Sequence, residues 1–197
     1  MNRRHVHVAA LIALLAAGTL AFTAAAGGAD DDRDRRDRGA RGSLALRLTP
    51  AYHGTADFLD VSAAKTAGYA ELRDADGIAC IDHLRKGAMG VHYVNGALVG
   101  DAFLFPARPE ALVYEPTGDG KLELVALEYI VFQKAWDETH RKPPKLFGRR
   151  FHLIEKPNRY GLDPFYELHA WLWKPNPSGR FADYNPRVAC QYKFTRP

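Results

Sequence analysis

The chain has 197 residues, of which 47% are hydrophobic and 25% are charged, and its formal net charge is +4. Arg3 and Arg4 supply two of these positive charges, so the remaining chain is nearly neutral and we expect no nucleic-acid partner. The sequence contains no GxSxG elbow, no phosphate-binding GxxxxGK[ST] or GxGxxG loop and no CxxCH. Serine hydrolases of the elbow type, nucleotide-binding proteins and covalent haem proteins are therefore set aside.

The first 28 residues have the three parts of a secretory signal peptide. Arg3 and Arg4 form the basic start, Val8–Phe22 is apolar, and Ala24–Ala26 supplies small residues for cleavage. The apolar run is shorter than the roughly 20 residues that a membrane span needs. We therefore expect an exported protein, secreted or periplasmic, with no membrane span after cleavage.

Residues 29–43 form a segment of different composition. Within it, Ala29–Gly42 contains five aspartates, five arginines and no apolar side chain larger than alanine. Such a segment cannot bury enough apolar surface to offset the entropy of ordering it, which predicts a disordered charged linker. Residues 44–197 are then a single globular domain, long enough for one core.

A helix is predicted over Thr55–Tyr69. Thr55 is a suitable N-cap residue, and Phe58 and Val61 lie on one stripe of helical periodicity. Gly68 can adopt the left-handed conformation that ends many helices. The segment is short, so we expect it to depend on packing against the rest of the domain.

A first hairpin is predicted at Asn95-Gly96, the strongest short turn signal in the chain. It separates the apolar runs Gly90–Val94 and Ala97–Phe103. A two-residue turn at this position would place His92 opposite Val99.

A second hairpin is predicted at Thr117–Gly120, between Leu112–Glu115 and Leu122–Phe132. The second of these strands is apolar on both faces for most of its length. A strand with that composition is typical of a central position in a sheet, with material packed on both sides.

Further strands are predicted at Phe151–Ile154, Tyr166–Trp173 and Val188–Phe194, and the turn-rich segment Lys174–Gly179 separates the last two. The segment Asp137–Gly148, with Pro143-Pro144 and five basic residues between Arg141 and Arg150, is predicted to be a long exposed loop. One helix and about seven strands predict an α+β domain. We expect a strongly curved, mostly antiparallel sheet, open or closed into a barrel, with the N-terminal helix packed on one face.

Three polar residues lie in the middle of apolar strands: His92, Glu128 and His169. Burying such a group costs several kcal/mol unless it is paired. Glu128 is predicted to share a face with Leu124, and His92 a face with Val94. If the three faces point to one interior, two imidazoles and a carboxylate meet there, a set that suits a divalent transition metal with open positions.

The spacing of these three residues is not a known metal motif, because neither His-x-His nor His-Glu-x-x-His is present. Two structural alternatives therefore stay open. In the first, both histidines donate to backbone carbonyls while Glu128 accepts from a tyrosine or histidine. In the second, one histidine and Glu128 form a hydrogen-bonded core pair. No catalytic residue is assigned.

Two tryptophans follow His169 on the same predicted strand, Trp171 and Trp173. Both share the face of His169 and could line a pocket for an apolar ligand. Core packing is the ordinary role of aromatic residues at this spacing.

The chain has two cysteines, Cys80 and Cys190. In an exported chain two cysteines usually pair, which predicts a structural disulfide. Closing so long a loop stabilises the fold by roughly 4–5 kcal/mol in the chain-entropy description. A redox or metal-binding role would call for a CxxC spacing, which is absent.

The segments Gly87–Asn95, Leu168–Gly179 and Asn185–Cys190 read GAMGVHYVN, LHAWLWKPNPSG and NPRVAC. With them the chain resembles a group of exported bacterial proteins of uncharacterised function, over most of the mature domain. The resemblance implies export and brings no activity, cofactor or assigned site.

Two functions are carried forward from the sequence. The first is a non-catalytic exported module that binds a small molecule or a cell-envelope partner in a pocket framed by Trp171 and Trp173. The alternative is a metal-binding protein or metalloenzyme that uses His92, Glu128 and His169. Ligand atoms of this trio within about 4–5 Å of one another would favour the metal hypothesis.

Overall fold

The computed structural model describes residues 28–190, with side chains from residue 36 onwards. The chain divides into two units between Gly39 and Ala40, and the second carries every described strand. The predicted signal peptide, residues 1–28, lies outside the described residues except for Gly28. No helix in the described range is long and apolar enough to cross a membrane.

The described residues combine one long helix and several short helical segments with strands, so the fold class is α+β, as predicted. The helical segments are α1 (Gly28–Thr55), a 3₁₀ helix (Ala56–Leu59), α2 (Val61–Thr66), α3 (Gly96–Gly100) and α4 (Gln133–Asp137). The strands are β1 (Ala70–Glu71), β2 (Cys80–His83), β3 (Gly87–Val94), β4 (Ala111–Pro116), β5 (Leu122–Phe132), β6 (Lys145–Leu146), β7 (Arg149–Arg150), β8 (His152–Ile154) and β9 (Phe165–Ala170).

Seven strands form one antiparallel sheet in the order β1-β3-β4-β5-β9-β8, and β2 pairs with β3 on the edge that β1 also uses. The sheet is curved and has two open ends, so it is not a closed barrel. β5 lies between β4 and β9, which confirms the central position predicted for Leu122–Phe132. A separate antiparallel pair is formed by β6, which lies in the predicted loop Asp137–Gly148, and β7, which follows that segment.

Successive residues of the central strands alternate between two faces. The helix-covered face consists of the side chains that share a cluster with Leu48 and Ala51 of α1: Val91, Tyr93, Leu112, Leu127, Tyr129 and Leu168. The opposite face consists of the residues between them in sequence: His92, Ala111, Val113, Ala126, Glu128 and His169. A smaller apolar cluster on the opposite face includes Val113, Ala126, Trp171 and Val188.

The N-terminal helix differs from the expectation for residues 29–43, because α1 covers that segment and continues to Thr55. In the second unit, Leu44, Leu48 and Ala51 follow helical spacing, and the last two are buried. This stripe anchors the helix on the sheet.

The helix predicted over Thr55–Tyr69 is instead a 3₁₀ turn followed by α2. The cap is not Thr55, whose hydroxyl donates to the Ala51 carbonyl oxygen at 2.7 Å. Asp60 caps α2, because its carboxylate accepts from the Ser62 backbone N–H at 2.8 Å.

The hairpin predicted at Asn95-Gly96 is wrong. The Asn95 side chain accepts from the backbone N–H groups of Ala97 and Leu98 and starts α3, and the next strand to pair with β3 is β4. Asn favours both turns and helix N-caps, and here the cap prevails. His92 is therefore opposite Val113 instead of Val99.

The hairpin predicted at Thr117–Gly120 is confirmed, since it joins β4 to β5 and the Thr117 N–H donates to the Lys121 carbonyl at 2.8 Å. The strand predicted over Val188–Phe194 is not found in its described part, Val188–Cys190, and the remainder lies outside the described residues. The turn-rich segment before it, Lys174–Gly179, is an irregular connection.

The predicted disulfide between Cys80 and Cys190 is confirmed, with Cα atoms 5.7 Å apart and a sequence separation of 110. Cys80 lies on β2 and belongs to the core of the helix-covered face. The bond therefore attaches the end of the described chain to the edge of the sheet.

Candidate metal centre

His92, Glu128 and His169 come from three different strands of the sheet, β3, β5 and β9. All three belong to the opposite face, and all are buried, with exposed fractions of 2%, 5% and 1%. Strands β3 and β5 are paired on both sides, and Glu128 pairs directly with His169, the next-to-last residue of β9. The fold therefore holds the three side chains on well-ordered strands instead of loops.

The ligand atoms of the three residues lie close together. Nε2 of His92 is 3.3 Å from Nε2 of His169 and 3.5 Å from Oε2 of Glu128. Nδ1 of His169 is 3.8 Å from Oε1 of Glu128. One ligand atom from each residue can be chosen so that all three lie within 4.8 Å of one another.

Curvature of the sheet makes this convergence possible. Strands β3 and β9 are three positions apart in the sheet, which corresponds to roughly 14 Å in a flat sheet. The strand between β3 and β5 places Ala111 directly opposite Glu128. Because that side chain is a single methyl group, the imidazole of His92 can reach across β4 toward the carboxylate.

Leu124 is not on the face of Glu128, contrary to the expectation from strict alternation. The register between β4 and β5 shifts between Val113 and Tyr114, and Leu124 joins the cluster of the helix-covered face. A bulge adds one residue to a strand and so reverses the faces beyond it. Ala126 and Glu128 lie on the same side of this irregularity, so the placement of Glu128 is unaffected.

Burial keeps both imidazoles neutral. Desolvation, together with the positive charge of Arg159, lowers the pKa of His92 from 6.5 to about 4. Desolvation also holds the pKa of His169 well below its ordinary value. A neutral imidazole has one nitrogen lone pair available, which is the form that binds a metal ion.

The pKa of Glu128 is shifted in the opposite direction. Desolvation raises the pKa of its carboxyl group well above its ordinary value, and the negative charge of Glu167 adds to the effect. Burial raises the pKa of Glu167 as well. Burial therefore disfavours a negative charge on either carboxyl group.

The Nδ1 atoms of both histidines make no hydrogen bond to another described residue. Among the residues that the structure describes, Nδ1 of His92 and Nδ1 of His169 are the buried side-chain nitrogens without a hydrogen-bond partner. The first structural alternative, in which both rings donate to backbone carbonyls, is therefore not found. A buried, unpaired polar atom costs about 1–3 kcal/mol.

The sequence reasoning missed two acidic residues beside the trio. Glu167, His169 and Asp183 form a second group whose ligand atoms lie within 4.8 Å of one another. A signal for Glu167 was present, because it lies two residues before His169 and so shares its face. Asp183 lies in an irregular segment after β9, and no periodicity could have placed it there.

The two tryptophans do not share one surface. Trp171 is buried in the cluster of the opposite face, and its indole N–H donates to the Ala182 carbonyl. Trp173 packs on the helix-covered face, edge to face with Tyr52, and its indole N–H donates to the Thr55 hydroxyl at 3.3 Å. β9 ends at Ala170, so the alternation that predicted a common face stops before either residue.

No protein-family model, no curated protein and no solved structure matches this chain. The resemblance to exported bacterial proteins therefore stays a prediction. What the chain can do has to be inferred from its own residues and their geometry.

Proposed function

We propose that this protein is an exported domain that binds one divalent transition metal ion between His92, Glu128 and His169. The observation that carries the proposal is the convergence of three ligand side chains from three strands in a buried position. The contact between the two histidines spans 77 residues of sequence.

The distances favour a metal ion over a simple hydrogen bond. Two ligands on a tetrahedral zinc ion, each with a bond of roughly 2.0–2.1 Å, lie roughly 3.3 Å apart. The Nε2 atoms of His92 and His169 have this separation, and Oε2 of Glu128 is 3.5 Å from the first of them. A hydrogen bond between nitrogens is ordinarily shorter than these values.

The Nδ1 atoms limit how the two rings can be protonated. If one Nε2 donates to the other in the metal-free protein, the accepting ring carries its proton on Nδ1, where no hydrogen-bond partner is present among the described residues. With a metal ion on both Nε2 atoms, each ring carries its proton on Nδ1, so the coordination bonds would have to offset two unpaired N–H groups.

The ligand set selects a class of metal. Two imidazoles and one carboxylate suit zinc, copper or iron, whereas calcium and magnesium prefer all-oxygen sites. Three protein ligands also leave at least one coordination position open, which is typical of a catalytic or ligand-binding centre. The proposed partner of the protein is therefore a small molecule that reaches this open position.

Export is part of the proposal. The basic start and apolar run of residues 1–28 support it, and so does the disulfide between Cys80 and Cys190, because such bonds persist in oxidising compartments. A pocket framed by Trp171 and Trp173 is not proposed, since the two indoles lie on different faces and both N–H groups are bonded within the protein.

Elemental analysis of purified, untagged protein tests the proposal. We expect about one equivalent of a transition metal per chain, either as isolated or after reconstitution with zinc, copper or iron(II). His169→Ala removes a ligand and should weaken zinc binding by 100-fold or more in a calorimetric titration. His140→Ala is the matched control, because that imidazole is exposed and stacks on Trp136 away from the centre.

Two results would contradict the proposal. One is the absence of any stoichiometric metal after reconstitution with all three ions. The other is equal zinc affinity in His169→Ala and His140→Ala, with both variants folded by circular dichroism.

A further inference from the structure

A cavity of about 70 Å³ lies beside the candidate metal centre. Glu128 forms part of its wall and is at the same time the carboxylate of the trio. The other walls include Val99 of α3, Ile130 of β5, and Tyr160 and Leu162 from the segment between β8 and β9. Apart from Glu128 and Tyr160, all the lining side chains are apolar.

The cavity runs from the surface toward the centre. Leu162 is 37% exposed, and Ile130 and Tyr160 are half-buried, whereas Glu128 is 5% exposed. A molecule that enters past Leu162 would therefore meet Glu128 at the buried end. This is a route by which a ligand could approach the buried centre.

The outer wall is held firmly by hydrogen bonds. The guanidinium of Arg159 donates to the buried carboxylate of Asp74 at 2.9 Å. The Asn158 side chain accepts from the backbone N–H groups of Tyr160 and Leu162, each at 3.2 Å. The segment that carries Tyr160 and Leu162 is therefore preorganised, so the cavity does not depend on an ordering step when a ligand binds.

We propose that this cavity admits a small, uncharged and largely apolar molecule to the open coordination position of the metal ion, an inference that rests on the metal site proposed above. Apolar walls disfavour a charged ligand, because an ion would lose its hydration without compensation. A cavity of roughly 150 Å³ accommodates benzene or xenon. At about half that volume, this one selects a ligand smaller than benzene.

Tyr160 gives the cavity one polar contact. It is the one uncharged polar side chain in the lining. A phenol group is protonated at neutral pH and can donate a hydrogen bond to one oxygen or nitrogen of a ligand. A short alcohol, a short carbonyl compound or a diatomic gas has this combination of size and polarity.

Xenon is a suitable probe, because it detects a small apolar cavity without any metal. We expect ¹²⁹Xe chemical shifts to show saturable binding to the full-length protein both before and after zinc is added. In the cobalt(II)-loaded protein the bound xenon should relax at least several-fold faster than in the zinc-loaded protein, because the paramagnetic ion lies next to the cavity.

Three variants separate the cavity from the metal site. Leu162→Trp narrows the mouth and should reduce xenon binding at least ten-fold while zinc binding stays at one equivalent. Leu84→Trp is its matched control, at a fully exposed leucine elsewhere. Glu128→Gln should abolish stoichiometric zinc binding and leave xenon binding in place. Val99→Phe fills the cavity from the opposite wall and provides a second test if Leu162→Trp is unstable.

The outcomes distinguish the two proposals. Equal xenon relaxation with cobalt(II) and zinc, or unchanged xenon binding in both Leu162→Trp and Val99→Phe, would overturn the cavity inference while the metal site stands. Failure of cobalt(II) and zinc to bind at all would overturn the metal site and the inference with it, even if xenon still binds.

Discussion

On the helix-covered face of the sheet, large apolar side chains pack beneath α1 and the polar atoms that accompany them are satisfied. The Tyr129 hydroxyl donates to the Pro106 carbonyl at 2.7 Å, and the Tyr52 hydroxyl donates to the Leu172 carbonyl at 2.8 Å. On the opposite face, two imidazoles and a carboxylate lie in the interior, and both imidazole Nδ1 atoms lack a partner among the described residues.

The difference between the two faces separates stability from function. Proteins normally pair their buried polar groups, and the helix-covered face follows that rule. On the opposite face, Nδ1 of His92 and Nδ1 of His169 are unpaired, and the carboxylate of Glu128 is buried beside them. We infer that the first face provides most of the stability of the fold and that the second is arranged for binding.

The largest expected effect on stability comes from removing the disulfide, whose Cys80 belongs to the helix-covered face. Cys80→Ala/Cys190→Ala should lower the free energy of unfolding by roughly 3–5 kcal/mol, because the bond closes a loop of 110 residues and so restricts the unfolded chain. Urea unfolding measures the change. Wild-type protein in reducing agent is the control and should show the same loss; a loss below about 1 kcal/mol would contradict this role.

The next effect concerns packing on the same face. Leu112 is fully buried on β4, so Leu112→Ala should lower the free energy of unfolding by about 2–5 kcal/mol through lost contacts and a residual cavity. Leu84→Ala, at an exposed leucine, should change it by less than about 0.5 kcal/mol. Comparable values for the two variants would remove the basis for treating this face as the main source of stability.

A pH-dependent effect is expected from Glu110, a buried carboxyl group beside Tyr69 and Tyr129. Burial raises its pKa from 4.5 to about 8, although the Ile130 N–H donates to it at 3.0 Å. The folded protein therefore holds a proton that the unfolded chain has lost. The stability that this proton brings is complete below about pH 4.5 and is lost as the pH rises to about 8.

Glu110→Gln tests this effect, because the amide can still accept from Ile130 and does not ionise. Wild-type protein should lose roughly 2–4 kcal/mol more than the variant as the pH rises through this interval. Chemical unfolding at several pH values measures the difference. Parallel curves for the two proteins would show that Glu110 is ionised in the fold.

The smallest effect on stability is expected on the opposite face. In metal-free protein, His92→Leu/His169→Leu should leave the free energy of unfolding unchanged or raise it by up to about 1 kcal/mol, because it removes both unpaired nitrogens. The same variant should bind no zinc. A loss of more than about 2 kcal/mol would show that the two imidazoles stabilise the fold, which would break the contrast between the faces.

The faces of the strands could be predicted from sequence, and the distances between strands could not. Alternation grouped His92 with Val94 and Glu128 with Ala126, because the period of a strand is two whatever its partner is. It left open whether the faces of His92, Glu128 and His169 point to one interior. The hairpin at Asn95-Gly96 was wrong, yet His92 kept its face. Whether the three side chains meet depends on the curvature of the sheet, which no local pattern encodes.

Other positions were missed or misplaced in the sequence predictions because of local features of the chain. The bulge beside Val113 moved Leu124 to the helix-covered face, since a single extra residue reverses alternation. No helix was predicted over residues 44–54, although Leu44, Leu48 and Ala51 follow helical spacing in α1. Asp183 could not be found, because it depends on how an irregular segment folds back over β9.

The position of β9 has a consequence for the order of folding events. β8 joins the sheet only through β9, and His169 reaches His92 only when β9 has paired with β5. The centre therefore cannot exist in a partly assembled sheet that ends at β5. In a stopped-flow refolding experiment with cobalt(II), the absorption of the bound ion would report the arrival of this strand, one of the slow, long-range pairings of the chain.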